Sequence, residues 1–275
     1  MSDPLTLGLQ VAIGAVVGFT IGLTGVGGGV LVVPALTILL GMPATTAIGT
    51  ASAYAFLTKI FAGFEHWRLK TIDFAMAHLF LIGAVPGNIA ACLAIGHFKA
   101  RATDAAALAS LQSHLKTFIA GVMVFSVILM LANLMRDWYK DRSPRGEDDT
   151  PPPGPMPLSR RFLGVVLGAL VGALLGATSV GGGVVIVPLL IICFGLTTRS
   201  TVGTSIYIAL VLTLVTTLLS AGRGDVDWQV AALMSVGSLL GVSLGSRLAN
   251  RLPDMILQSA VAFLLLVAIA GMLLT

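Results

Sequence analysis

The sequence predicts an all-α fold, a polytopic bundle of transmembrane helices in two homologous halves, and three observations predict it. Of the 275 residues 56% are hydrophobic and only 10% charged, whereas an ordinary soluble domain carries about 25% charged residues. So few charges cannot cover a water-facing surface, and the mean hydropathy of +0.99 agrees. Apolar runs of the length that crosses a bilayer, about 20 residues, recur along almost the whole chain. The chain also repeats itself at a constant offset. Pro34 matches Pro188, 154 residues on, and the same offset pairs Gly14, Gly18, Gly22 and Thr24 with Gly168, Gly172, Gly176 and Thr178. It carries Gly49-Thr50 onto Gly203-Thr204, Asp73 onto Asp227, and Gly83 and Gly87 onto Gly237 and Gly241. A match sustained over that distance is a duplication.

The elements follow in order. The first repeat, 1–135, holds apolar segments at 5–24, 29–41, 45–64, 74–96 and 115–135. No basic residue precedes the first run and no small-residue cleavage site follows it, so it reads as a retained helix rather than a removed signal. Asp73 and Asp227 precede Phe74 and Trp228, which suits an N-cap beside an interfacial aromatic anchor. A segment at 136–160, containing Asp-Arg-Ser-Pro-Arg-Gly-Glu-Asp-Asp and Thr-Pro-Pro-Pro-Gly-Pro, is too charged and proline-rich for core or lipid and reads as a cytoplasmic linker. The second repeat, 161–275, repeats the pattern at 161–178, 183–195, 200–220, 228–249 and 255–274.

If the short second segment of each half spans, there are five spans per half and the halves are inverted. Lys59, Arg68, Lys70, Arg199, Arg247, Arg251 and the six linker basics then share one side, leaving Lys99, Arg101, Lys116 and Arg223 opposite, twelve against four. With those segments re-entrant there are four spans per half, in parallel, and the count is ten against six. The positive-inside rule favours the inverted arrangement and places the linker in the cytoplasm. The termini then lie outside; in the eight-span alternative they lie inside.

The chemistry concentrates in Gly25-Val-Gly-Gly-Gly-Val-Leu-Val-Val-Pro34, echoed by Ser179-Val-Gly-Gly-Gly-Val-Val-Ile-Val-Pro188. Each glycine costs a helix interior about 1 kcal/mol relative to alanine. Three in a row predict a break, tolerated in a membrane only where protein or a water-filled cavity surrounds it. The dozen apolar residues after each break suit a half-helix starting inside the bilayer. Free amides at such a start carry partial positive charge and hold anions. The expected substrate-binding residues are therefore Thr24, Gly25, Gly27, Gly28, Gly29 and Val30 in one half, and Thr178, Ser179, Gly181, Gly182, Gly183 and Val184 in the other. Thr50, Ser52, Thr204, Ser205 and Tyr207, near the starts of the third segments, are expected to complete the pocket. The competing accounts are close helix packing for the glycines and backbone bonding one turn back for the hydroxyls. Lys59 and His78 lie inside apolar segments and are candidates for ion coupling, with snorkelling the alternative for Lys59.

Other chemistries find no support. No Walker lysine follows the glycines, no HExxH occurs, and Gly25-Val-Gly-Gly-Gly-Val fails GxGxxG at its last position. Cys92 and Cys193 sit in separate apolar segments without metal-ligand or disulfide spacing and read as packing residues. No enzyme, cofactor or metal is expected. The basic residues lie between apolar runs rather than in one patch, which argues against nucleic acid; the expected partners are a small anion, the lipid bilayer and a coupling proton or cation.

The doubled glycine-rich break ending in proline, with Gly-Thr downstream in both halves, resembles the TauE/SafE sulfite-exporter family over nearly the whole chain. The resemblance implies a multi-pass carrier of the bacterial inner membrane that moves sulfite, sulfoacetate or related small anions, driven by an ion gradient; the two broken helices themselves suggest a midplane site with alternating access. Two features depart from even repetition: Ser179 stands where the first half has Gly25, and the linker is long. A membrane scaffold that binds a partner through the linker is the alternative function.

Overall fold

The computed structural model describes residues 4–24, 29–102, 104–141, 157–180, 183, 185–196, 198–249, 266–267 and 269–271. Among them every regular element is a helix: α1 (Pro4–Thr24), α2 (Gly29–Pro34) running into a π-helical turn at Ala35–Leu39, α3 (Ala44–Arg68), α4 (Phe74–Arg101) and α5 (Ala105–Asp141). After the gap come α6 (Leu158–Thr178), α7 (Ile186–Phe194), α8 (Thr198–Ala221) and α9 (Trp228–Ala249). Among the described residues six helices are long and apolar enough to cross a membrane: α3, α4, α6, and stretches of α5, α8 and α9. The expected last segment, 255–274, and the middle of the linker lie outside the described residues.

The 154-residue offset carries α1 onto α6 residue for residue and brings α3 within one residue of α8. Even the turns obey it. Gly41 and Gly195 both adopt left-handed φ, 62° and 67°, where a Cβ would be strained. Each stops a short helix with the same backbone bond, Met42 N–H to Leu36 O and Leu196 N–H to Leu190 O. Two boundaries differ from expectation. α5 starts at Ala105 and ends at Asp141, beyond 115–135 at both ends. Its first turns, Ala-Ala-Ala-Leu-Ala-Ser-Leu, are exposed up to Ser110 and strong in helix propensity without forming a long apolar run. α7 starts at Ile186, three residues into the expected 183–195.

The halves interlock by exchange. α1 packs along α9, and its counterpart α6 packs along α4, so the first helix of each half lies against the fourth of the other. Glycine spaced at four residues makes this possible. A Cβ on Gly18 would lie 2.6 Å from Ser238 Cα, and one on the matching Gly172 would lie 2.7 Å from Ala84 Cα. In return Gly83 and Gly87 face Val165 and Ala169, and Gly237 and Gly241 face Val11 and Ala15. Residue numbers rise together in both pairs, so each is parallel. α3 and α8 cross the other way: Gly49 lies against Ser220 and Gly63 against Leu210. These two equivalent helices therefore run antiparallel. Since α4 starts beside α6, where the linker ends, the opposite end of α4 faces away from the linker. There it meets the α8–α9 turn through Lys99 and Asp225.

Each interlock is closed by a matched hydrogen bond. The Asp227 amide donates to Thr50 Oγ1 at 3.0 Å, and the Asp73 amide to Thr204 Oγ1 at 2.9 Å. Both aspartates act as N-caps, Asp73 Oδ1 accepting from Met76 N–H and Asp227 Oδ1 from Val230 N–H, each at 3.0 Å. Thr50 and Thr204 are fully buried, and a buried amide left unpaired costs about 1–3 kcal/mol. Thr50→Val and Thr204→Val are each expected to lower the melting temperature in detergent, and the double variant to lower it further. Unchanged melting in all three would show that the matched bonds contribute nothing.

Candidate functional site

The sequence-predicted break in the second half is present. α6 ends at Thr178, and Ser179 turns the chain aside in a left-handed conformation, φ 55°, its amide donating back to Leu175 O at 2.7 Å. Thr178 Oγ1 donates to Leu174 O at 2.7 Å and accepts from Val180 N–H at 3.1 Å, fixing the exit. The helix resumes at Ile186, after Gly183 O has accepted from Val187 N–H. Ser179 Oγ meets Ser52 Oγ of α3 at 2.8 Å, and both residues are buried. The break thus touches the third helix of the other half. It lies deep in the bundle, because Gly176, one turn before it, faces Asn88, midway along the 28-residue α4.

In the first half α1 ends at Thr24 and α2 opens at Gly29. Gly25, Gly27 and Gly28, with Gly181, Gly182 and Val184 of the second half, lie outside the described residues, as do the side chains of Thr24 and Val30. After Pro34 the chain widens into π-helical geometry, with Thr37 Oγ1 donating to Val33 O and Pro34 O.

The remaining expected residues separate into groups. Ser52, Thr178 and Ser179 come together. Thr50 and Thr204 engage the aspartate amides described above, at opposite faces of the bundle. Ser205 Oγ donates to Val202 O at 2.9 Å, the backbone bond that was the competing account for such hydroxyls. Tyr207 instead meets the other coupling candidate: its hydroxyl lies 3.5 Å from His78 Nε2, and Phe74 packs edge-on to its ring. His78 is exposed there, on the first turns of α4. Lys59 is half-buried on α3, and among the described residues no carboxylate pairs with it.

A second polar group was not legible in advance. Asn88 Nδ2 donates to Thr216 Oγ1 at 2.9 Å, and Thr216 Oγ1 donates back to Asn88 Oδ1 at 3.1 Å, both residues fully buried between α4 and α8. A lone asparagine in an apolar run was the available signal. Burying an amide in a membrane bundle requires such a partner.

Comparison with known proteins gives the family. The family profile described as sulfite exporter TauE/SafE matches residues 10–272. The chain belongs to that family. It is 33% identical to the probable membrane transporter protein YjnA of Bacillus subtilis (strain 168), covering 94% of this chain and 96% of that one. It is 28% identical to the probable membrane transporter protein YdhB of the same organism, over 94% and 95% of the two chains. A probable membrane transporter protein of Xylella fastidiosa (strain 9a5c) is 27% identical over 86% of this chain and 83% of its own. No solved structure matches. The chain is a multi-pass membrane transporter, and its bacterial relatives fit an inner-membrane location.

Proposed function

We propose that this transporter carries a small sulfur oxyanion, sulfite or an organosulfonate such as sulfoacetate, by alternating access coupled to an ion gradient. The observation that carries the reading is the contact of Ser52 with Ser179, which places a hydroxyl of one half on the helix break of the other. Hydroxyls together with the amides of a glycine-rich helix start supply donors for an oxyanion without a buried cation. The family description supplies the sulfur; the residues supply only the anion.

The two halves act as inverted repeats. The antiparallel course of α3 and α8 supports this, and so does the meeting of the α4 end with the α8–α9 turn. In eight parallel spans that turn would share the linker's face, whereas Lys99 of α4 reaches it from the opposite face. α2 with its π-helical turn, and α7, then cross as the short pieces. Rocking of one group of helices against the other would expose the break to each face in turn.

Flux of labelled sulfite and of organosulfonates into proteoliposomes, with and without an imposed proton gradient, tests the function. Saturable, gradient-stimulated uptake is the expected result; protein-independent uptake of every anion tried would overturn it. Lys59, a cation within a membrane span, is the candidate for coupling. Lys59→Gln is expected to abolish stimulation by the gradient while downhill anion exchange persists. Full stimulation in that variant would remove Lys59 from the coupling step.

A further inference from the structure

The α8–α9 turn carries a buried ion-pair cluster, and among the described residues no ion pair forms at its counterpart on the other face. Asp225 is buried, its side chain 2% exposed, and two cations converge on it: Lys99 from the last turn of α4, and Arg223 from the turn itself, Nε to Oδ2 at 3.3 Å. Arg223 also lies across α4. Its Nη1 donates to Cys92 O at 3.2 Å and its Nη2 to Ser220 Oγ at 3.3 Å. A Cβ on Gly96 would sit 2.9 Å from Arg223 Cδ, so the missing side chain makes room for the arginine stem. The 154-residue offset takes Arg223, Asp225 and Ser220 to Leu69, Thr71 and His66. At the linker face the equivalent contact is neutral, His66 Nδ1 to Thr71 Oγ1 at 2.8 Å.

Below this cluster the seam between α4 and α8 stays polar as far as the break. Ser220 and Thr216 are one turn apart on α8, and Cys92 and Asn88 one turn apart on α4. Cys92 Sγ donates to Gly176 O at 3.4 Å, which brings the seam to within three residues of Ser179. All four residues are 1% exposed or less. By the same offset Asn88 and Thr216 correspond to Val242 and Ala62, so this asparagine–threonine pair has no polar counterpart.

We propose that this seam is the anion's path between the break and the membrane face opposite the linker, and that Asp225 is a tethered counter-anion closing its mouth. The inference rests on the reading of the break as the anion site. Lys99 and Arg223 against Asp225 leave this three-residue cluster with one positive charge in excess. A sulfonate or sulfite presents oxygens to guanidinium and ammonium as a carboxylate does. An arriving anion takes over Lys99 and Arg223, Asp225 is released, and the α8–α9 turn separates from α4. Arg223 then leaves Cys92, and the neutral donors of the seam pass the anion inward.

Cys92 reports this opening. In a Cys193→Ala chain it is the sole cysteine, and its rate of modification can be followed with two membrane-impermeant methanethiosulfonates, one bearing a sulfonate and one a trimethylammonium group. Asp225→Asn is expected to raise the sulfonate reagent's rate about tenfold or more, as loss of even a modest closing interaction requires, and to favour it over the cationic reagent. Lys99→Gln and Arg223→Gln added to Asp225→Asn should remove that preference of sign. The exchange of Lys99→Asp with Asp225→Lys keeps an ion pair and should keep Cys92 protected, which separates opening from misfolding. Protection of Cys92 in a folded Asp225→Asn chain, or equal rates for the two reagents in it, would overturn the proposal. If Cys92 behaves as expected while anion affinity ignores Ser179→Gly, the path stands and the site at the break falls.

Discussion

Gly172→Leu is expected to leave little folded protein. A side chain there would start 2.6 Å from the carbonyl carbon of Ala84 and 2.7 Å from its Cα, and these are backbone atoms of α4 that cannot rotate away. Relief requires α6 to move off α4 along the seam that Gly168, Gly172 and Gly176 share with Gly83 and Gly87. Forcing one side chain into a packed core costs about 1–3 kcal/mol when neighbours can adjust, and more when they cannot. The loss here should exceed that range, because every close contact on the seam opens together. Gly18→Leu, at the matching place in the first half, meets Ser238 Cα at 2.6 Å and should behave alike. Gly8→Leu and Gly121→Leu have nothing within 4 Å of the added atom and serve as controls. The measurement is the monodisperse fraction in detergent and its melting temperature. If Gly172→Leu matches Gly121→Leu in both, the close parallel crossing of α4 and α6 is wrong.

The duplication was legible because glycines, prolines and turn residues are fixed by backbone geometry, and geometry is what a repeat preserves. Gly41 and Gly195 stand at equivalent positive-φ turns for that reason. The exchange of partners was not legible. A face of glycines at four-residue spacing specifies that some helix approaches closely, and says nothing about which one. Thr50 and Thr204 show the same limit. Their hydroxyls were read as ligands for an anion, yet their bonds run to amides 177 and 131 residues away in the chain, a separation invisible to local pattern. The place of Lys99 and Arg223 between apolar runs marks them as topology signals, which fixes their side of the membrane but not their convergence on a buried aspartate.

Function in a duplicated carrier is expected where the halves differ, since identical halves would present the same chemistry to both faces. Several of the differences lie along one line. Ser179 replaces the glycine of the first half, Asn88 and Thr216 replace valine and alanine, and Asp225 with Arg223 replaces a threonine and a leucine. His78 with Tyr207 is a further difference, on the exposed flank of α4. It lies apart from the line and has no counterpart, since Ala232 of the second half and Ala53 of the first stand at the positions matching His78 and Tyr207.

Ser179→Gly separates the two roles that the break residue can have. Ser179 holds φ 55°, a conformation that costs a residue with a side chain about 1–2 kcal/mol and glycine nothing comparable. The substitution therefore relieves the backbone, restores the residue found at Gly25, and removes only the hydroxyl. If the hydroxyl serves the anion, its loss forfeits a hydrogen bond to a charged group, about 1.5–3 kcal/mol, which is about ten- to a hundredfold in apparent affinity. Melting temperature should hold or rise slightly, because the relieved backbone offsets the lost bond to Ser52. Ser52→Ala should weaken affinity in the same range, and the two together should lose less than the product, since both side chains act on one ligand. A purely structural bond predicts the reverse: a lower melting temperature for Ser52→Ala, and anion affinity unchanged in both variants. Binding of labelled sulfite and sulfoacetate to purified protein, measured beside thermal melting, decides between them.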